Sequence, residues 1–273
     1  MCPHCRAFIT TDDRVCPYCD TPVGPRAVDR RGATEQLIGG FIPHARFTTT
    51  ILLLINFGLY IATALYSMNH SRGGGFMDLD GQTLAIFGAS LPRGNDFWAW
   101  WRLITAGFLH GGLIHIGMNS WVLFDLGAQV EETYGTPRLI TIYILSTIGG
   151  FWLSSYTGHF SVGASAAIFG LIGAMIALGV REKSSFGSAV RGMYIRWAMY
   201  GLAFSFLPGL NIDFMAHIGG LASGFVVGYI AGTPRVRGER LWIGVAAVCV
   251  ALTAFAFVNM YMLFATVSRE LAR

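Results

Sequence analysis

GASAAIFGLIGAMIALGVR, residues 163–181, carries one polar side chain, Ser165, ahead of the arginine that closes it. No proline or charge interrupts the run. At ~1.5 Å per residue it reaches most of the way across ~30 Å of hydrocarbon. It reads as a membrane helix with a hydroxyl in its first turn.

Six further apolar segments lie around it, at about 48–68, 111–129, 138–157, 192–207, 213–232 and 241–264. Segment 192–207 is the weakest, being short and holding Arg196. Composition agrees: 53% of the 273 residues are hydrophobic and 12% charged, against roughly 25% charged in a soluble domain. Thirty-five glycines suit helices that pack closely in lipid. The expected fold is an all-α polytopic membrane bundle. The net charge of +4, from 19 basic and 15 acidic residues, calls for no nucleic-acid partner. Its placement suits topology instead. With a cytosolic N-terminus, Arg26, Arg30, Arg31, Arg46, Arg138, Arg181, Lys183, Arg191, Arg235, Arg237 and Arg240 fall inside. Only Arg72, Arg93, Arg102, Arg269 and Arg273 fall outside. Seven spans then leave the C-terminus outside, in what is expected to be a bacterial plasma membrane. The polar, cysteine-bearing N-terminus does not read as a cleavable signal peptide. The loop 69–110 holds Phe97, Trp98, Trp100 and Trp101, read as an interfacial anchor or an element of lateral entry.

Depth is the informative property of the polar residues. Segments 111–129, 164–181 and 213–232 all start at the outer face. They carry His115 and Asn119, Ser165, and His217 within their first turns. Ionisable groups inside a membrane are costly and usually face a bundle interior or an aqueous cavity. A lone serine at a helix start is more often a cap or packing residue. Two histidines, an asparagine and a serine at one depth make that reading weaker. A serine hydroxyl needs an adjacent base, and His217 can take its proton and return it to a leaving amine. His115 and Asn119, four apart, share one helix face and can donate to a developing oxyanion. The Ser165 amide, at a helix start, would add a third donor. Gly163 and Ala164 allow close approach of a substrate backbone. Phe169, one turn after Ser165, can stack on His217 or simply pack. Gly220 and Gly224 form a small-xxx-small pair that permits close helix approach. No carboxylate is placed to orient His217 from within a helix, since Asp213 is only four residues earlier, so a Ser–His dyad is favoured over a triad.

These residues resemble the rhomboid family. Gly163-Ala-Ser165-Ala-Ala-Ile-Phe-Gly170 is similar to its nucleophile motif, and Ala216-His217-Ile-Gly-Gly220-Leu-Ala-Ser-Gly224 to its base helix. His110-Gly-Gly-Leu-Ile-His115-Ile-Gly-Met-Asn119 resembles its oxyanion helix, with the upstream histidine included. Trp101-Arg102, Glu131 and Gly135 also fall at family positions, and Phe169 replaces a frequent tyrosine. The resemblance covers about residues 48–232. It implies a six-helix core, cleavage of single-pass or polytopic membrane proteins in or near their spans, and catalysis without a metal or cofactor. Segment 241–264 would be a seventh helix.

Cys2-Pro-His-Cys5 and Cys16-Pro-Tyr-Cys19 form a CxxC–x10–CxxC pair. Four thiolates at this spacing suit tetrahedral zinc, as a zinc-ribbon-like module. A redox pair and an unfolded tail are the rival readings. Such a module could contact a cytosolic partner. Cys249 reads as packing. The expected organisation is a zinc module at 1–24, a basic linker at 25–47, a six-helix core at 48–232, and a loop, seventh helix and tail at 233–273. An intramembrane serine endopeptidase is the leading function. A catalytically silent membrane adaptor or quality-control factor of the same fold is the alternative. A transporter is a third reading, disfavoured because the polar cluster lies toward one face.

Overall fold

Each apolar run of the sequence forms a helix in the computed structural model, which describes residues 2, 4–8, 15–23, 46–70, 75–92, 97–207, 212–234 and 238–271. The linker arginines Arg26, Arg30 and Arg31, with Arg72, Arg93, Arg235, Arg237 and Arg273, lie outside these residues. Two units are distinguished, Met1–His44 and Ala45–Arg273.

In the first unit the two CxxC pairs build matching turns. The Arg6 amide donates to the Cys2 carbonyl and the Asp20 amide to the Cys16 carbonyl, at 3.0 and 2.9 Å. Arg6 and Asp20 both take positive φ, 60° and 53°. One turn thus occurs twice, four residues after the first cysteine of each pair.

The second unit is a multi-pass membrane bundle of seven long helices. They are α1 (Phe47–His70), α4 (Leu113–Tyr134), α5 (Thr136–Tyr156), α6 (Ser165–Arg181), α7 (Ser185–Phe204), α8 (Phe214–Ala231) and α9 (Glu239–Leu271). The short α2 (Gly81–Ile86) and α3 (Arg102–Thr105) lie between α1 and α4. Helices α1, α5, α8 and α9 are long and apolar enough to cross a membrane on those grounds alone. Helix α6 is shorter, at 17 residues.

The two largest departures from the expected boundaries share one reason. Helix α7 begins at Ser185 rather than 192, because Ser184 caps it, accepting the Gly187 amide at 3.1 Å. Its first two turns are polar and invisible to a search for apolar runs. Helix α9 runs to Leu271, past the last apolar stretch, for the same reason.

Helices α6 and α8 are parallel and share a seam of small residues. A Cβ on Gly220, Gly224 or Gly228 would run into Ala166, Gly170 or Ala174 respectively. The pairing advances four residues on both helices at each step, so the register is fixed over three turns. Helix α5 closes one side: Gly150 abuts the Ala216 carbonyl and Ala166. Glycines here are contact surfaces that let backbones approach.

Polar ties lock the opposite end. Glu131 near the end of α4 accepts the Thr48 and Thr49 amides, both at 3.1 Å, and the Thr49 and Thr136 hydroxyls at 2.9 and 3.0 Å. A carboxylate at the start of α1 meets amides that have no partner within the helix. The seventh helix is anchored by Arg138 of α5, which donates to Glu239 at 2.8 Å and lies over Trp242. In the loop before α4, Trp101 is buried and Arg102 donates to the Ala85 and Ala89 carbonyls. Trp101 is therefore a packing residue, whereas Trp100 stacks on Phe255 of α9.

Candidate active site

Gly163 precedes α6 at φ +132°, a conformation that favours glycine. A methyl group there would stand 2.7 Å from His115 Nε2 and 3.5 Å from Ser165 Oγ. The imidazole and the hydroxyl thus border the same small volume. The residue before Ser165 is Ala164, which has no side chain able to cap α6. The first amides of the helix therefore keep their donor capacity for something outside it. The Ala164 amide faces His110 Nε2 at 3.5 Å, and His110 is fully buried.

His115 lies edge-on to His110, with ring centroids 5.2 Å apart. Its Nδ1 accepts the Gly111 amide at 3.4 Å. A neutral imidazole accepting at Nδ1 carries its proton on Nε2. The nitrogen beside Gly163 is therefore a donor. Asn119, one turn further, is buried, and its Nδ2 has no partner among the described residues. A buried amide donor without an acceptor is costly.

His217, on α8, is 5% exposed. Its ring stacks on Phe169, centroids 4.1 Å apart and planes 19° from parallel. Continuing the α6–α8 register upward by one step sets His217 level with Gly163. The ring sits over the turn that follows Ser165. Among the described residues no hydrogen bond joins Ser165 to His217; the seam and the Phe169 stack relate them. Nucleophile–base bonds are often looser without substrate. Asp213 caps α8: one carboxylate oxygen accepts the Met215 and Ala216 amides at 3.0 Å, and the other accepts the Ser154 hydroxyl. Both oxygens are engaged, and neither is bonded to the imidazole. What does reach the ring is Ser205, just past α7, with its Oγ 3.2 Å from His217 Nδ1.

The structure therefore gathers Ser165, His217, His115, Gly163 and Phe169 around the start of α6, with Gly220 and Gly224 below them in the seam; Asn119 lies one turn past His115 on α4. Sequence reasoning missed Ser205. It falls inside a run taken to continue to 207, and no spacing links it to residue 217. The contact of His110 with Ala164 was also missed, although His110 stood in the quoted motif.

In the N-terminal unit the sulfurs of Cys2, Cys5, Cys16 and Cys19 lie within 4.8 Å of one another. The Cys2–Cys19 and Cys5–Cys16 pairs are 3.6 Å apart. Sulfurs each ~2.3 Å from a common tetrahedral ion stand roughly 3.8 Å apart, so the donor set fits a metal ion. The thiols ionise unequally. Hydrogen bonding by Thr21 holds Cys19 down to about 5. The Ala7 amide favours the Cys5 thiolate, but hydrogen bonding shared with Cys19, burial and the other thiols outweigh it and push Cys5 up to about 12. Four thiolates this close need a cation among them.

The chain is 34% identical over 174 residues to "Rhomboid protease GluP" of Bacillus subtilis, covering 63% of this chain and 34% of that one. It is 32% identical over 192 residues to "Rhomboid-like protease 2" of Toxoplasma gondii, covering 68% and 65%. With "Putative rhomboid protease YdcA" of Bacillus subtilis it shares 33% over 142 residues, covering 50% and 70%. The chain thus spans about a third of the first relative and about two thirds of the others. The Rhomboid domain pattern matches residues 98–234, and with half of its length inside that match the chain belongs to the rhomboid family.

Proposed function

We propose that the chain is an intramembrane serine endopeptidase that cleaves membrane proteins in or near their spans, with Ser165 as nucleophile and His217 as base. The observation that carries this is the volume beside Gly163. There a serine hydroxyl, a proton-bearing His115 nitrogen and the uncapped start of α6 meet below a stacked imidazole. The relatives' names include the word protease.

The chemistry follows from the atoms. The Ser165 oxygen attacks the scissile carbonyl carbon while His217 Nε2 takes the hydroxyl proton. Charge develops on the carbonyl oxygen. His115 Nε2–H, Asn119 Nδ2 and the Ser165 amide are the donors that would receive it. The imidazolium returns its proton to the leaving amine, and water later releases the acyl group by the reverse steps. The distribution of positive residues supports an N-terminus in the cytosol, a site toward the outer face and a C-terminus outside. The four cysteines would hold one structural zinc, whose chemistry is to cross-link the two turns of a unit too small for a core of its own.

Purified protein in detergent is expected to cleave a single-span model substrate and to be labelled by a fluorophosphonate. Ser165→Ala and His217→Ala are each expected to abolish cleavage. Cleavage that persists in Ser165→Ala removes the assigned nucleophile. A folded wild-type chain that neither cleaves nor labels favours the silent adaptor.

A further inference from the structure

We propose that Ser205 is the positioning residue of His217, fixing the tautomer that leaves Nε2 free to act as base. The proposal rests on the reading of Ser165 and His217 given above.

A histidine base needs its proton on Nδ1 and its lone pair on Nε2. In Ser-His-Asp triads a carboxylate at Nδ1 selects that tautomer. Here the nearby carboxylate is occupied, because Asp213 spends one oxygen on capping amides and the other on Ser154. The polar atom at Nδ1 is the Ser205 hydroxyl, 3.2 Å away. It can accept the Nδ1 proton's hydrogen bond.

The direction of this hydroxyl is informative. Serine and threonine hydroxyls in apolar helices commonly bond back to the carbonyl one turn earlier. Thr63, Thr141, Thr147, Thr253 and Thr266 all do so in this chain. Ser205 instead reaches across to α8. One turn earlier, Gly201 comes close to the tip of the Phe169 ring. A Cβ at Gly201 would stand 2.7 Å from Phe169 Cζ. The last turn of α7 and the residue after it therefore border this ring pair. Gly201 meets the tip of Phe169, on which the imidazole stacks, and Ser205 holds the imidazole edge.

Proton accounting is unchanged by Ser205. The Ser165 proton moves to Nε2 and from there to the leaving amine. The Nδ1 proton stays on His217 throughout, hydrogen-bonded to Ser205 Oγ. A neutral hydroxyl lends orientation and tautomer without the charge a carboxylate would add.

The test is steady-state cleavage of a single-span substrate in detergent, with thermal unfolding of each variant. Ser205→Ala is expected to lower kcat on the order of ten-fold with KM unchanged, the scale of one lost hydrogen bond. Ser205→Thr, which keeps the hydroxyl, is expected to restore most of the rate. Wild-type kcat in Ser205→Ala overturns the proposal. So does a loss of kcat and unfolding temperature together that Ser205→Thr does not rescue, since that marks mere packing. Cleavage surviving in Ser165→Ala would overturn the underlying site, whatever the Ser205 variants do.

Discussion

Replacing Gly220 by alanine tests whether the α6–α8 seam sets the distance between nucleophile and base. The added Cβ would stand 2.0 Å from the Ala166 carbonyl oxygen, 2.9 Å from its carbon and 3.2 Å from Ala166 Cα. Carbon and oxygen rest at about 3.3 Å or more. None of these atoms can yield as a side chain would, because all are backbone. Helix α8 must then move off α6 by roughly 1.3 Å at this level. His217 lies three residues away, within the same turn, and Ser165 is adjacent to Ala166. A misplacement of ~1 Å costs on the order of a hundred-fold in rate, so kcat should fall by about a hundred-fold. Stability should suffer less. Overpacking costs about 1–3 kcal/mol, and alanine returns about 1 kcal/mol over glycine in a helix. Gly244→Ala on α9 is the control, since nothing lies within 4 Å of that site. The assay is initial cleavage rate at saturating single-span substrate, alongside the thermal midpoint. Gly220→Ala retaining more than half the wild-type kcat would refute the seam as the ruler of the site.

Phe169→Ala removes the ring under His217; a stack of about 0.5–1.5 kcal/mol predicts a kcat loss of roughly three- to ten-fold, while Phe169→Tyr should stay near wild type. An unchanged rate in Phe169→Ala would show that the ring is plain packing. Glu131→Ala strands two helix-start amides and two hydroxyls, so unfolding should ease by roughly 2–4 kcal/mol; an unshifted thermal midpoint rejects the tie. Cys5→Ser should remove about one zinc per chain by metal analysis, the content expected of one four-sulfur site. Equal metal in both proteins would reject that site.

The bundle was legible because lipid forces it to be. A backbone in hydrocarbon must bond internally, so long apolar runs can only be helices, and their number and order survive in the structure. Their ends do not follow from hydropathy. Ser184 starts α7 by capping and brings polar turns into the helix that no apolar search would include. The cluster around Ser165 was legible because its members share a depth, which is countable along each helix. Contacts made sideways are not countable. Ser205 meets His217 only by a tertiary contact between the end of α7 and α8, and Asp213 turns toward its own helix and Ser154 rather than toward the imidazole. Arg138, buried at 2% exposure, was counted as a topology charge, yet it anchors the seventh helix through Glu239.

Why should α6 and α8 deliver polar groups to one level in so apolar a bundle? The seam supplies a physical reason. Two parallel helices whose contact repeats every four residues cannot slide without driving a Cβ-less backbone surface into side chains. Their register sets the start of α8, Phe214, about 7.5 Å above the start of α6, Ser165, and brings His217 level with Gly163. A helix start brings the obligation of unpaired amides. On α8 the obligation is met by Asp213; on α6, Ala164 leaves it unmet. The difference between a capped and an uncapped start separates a helix that carries the base from a helix that presents donors to a substrate oxygen.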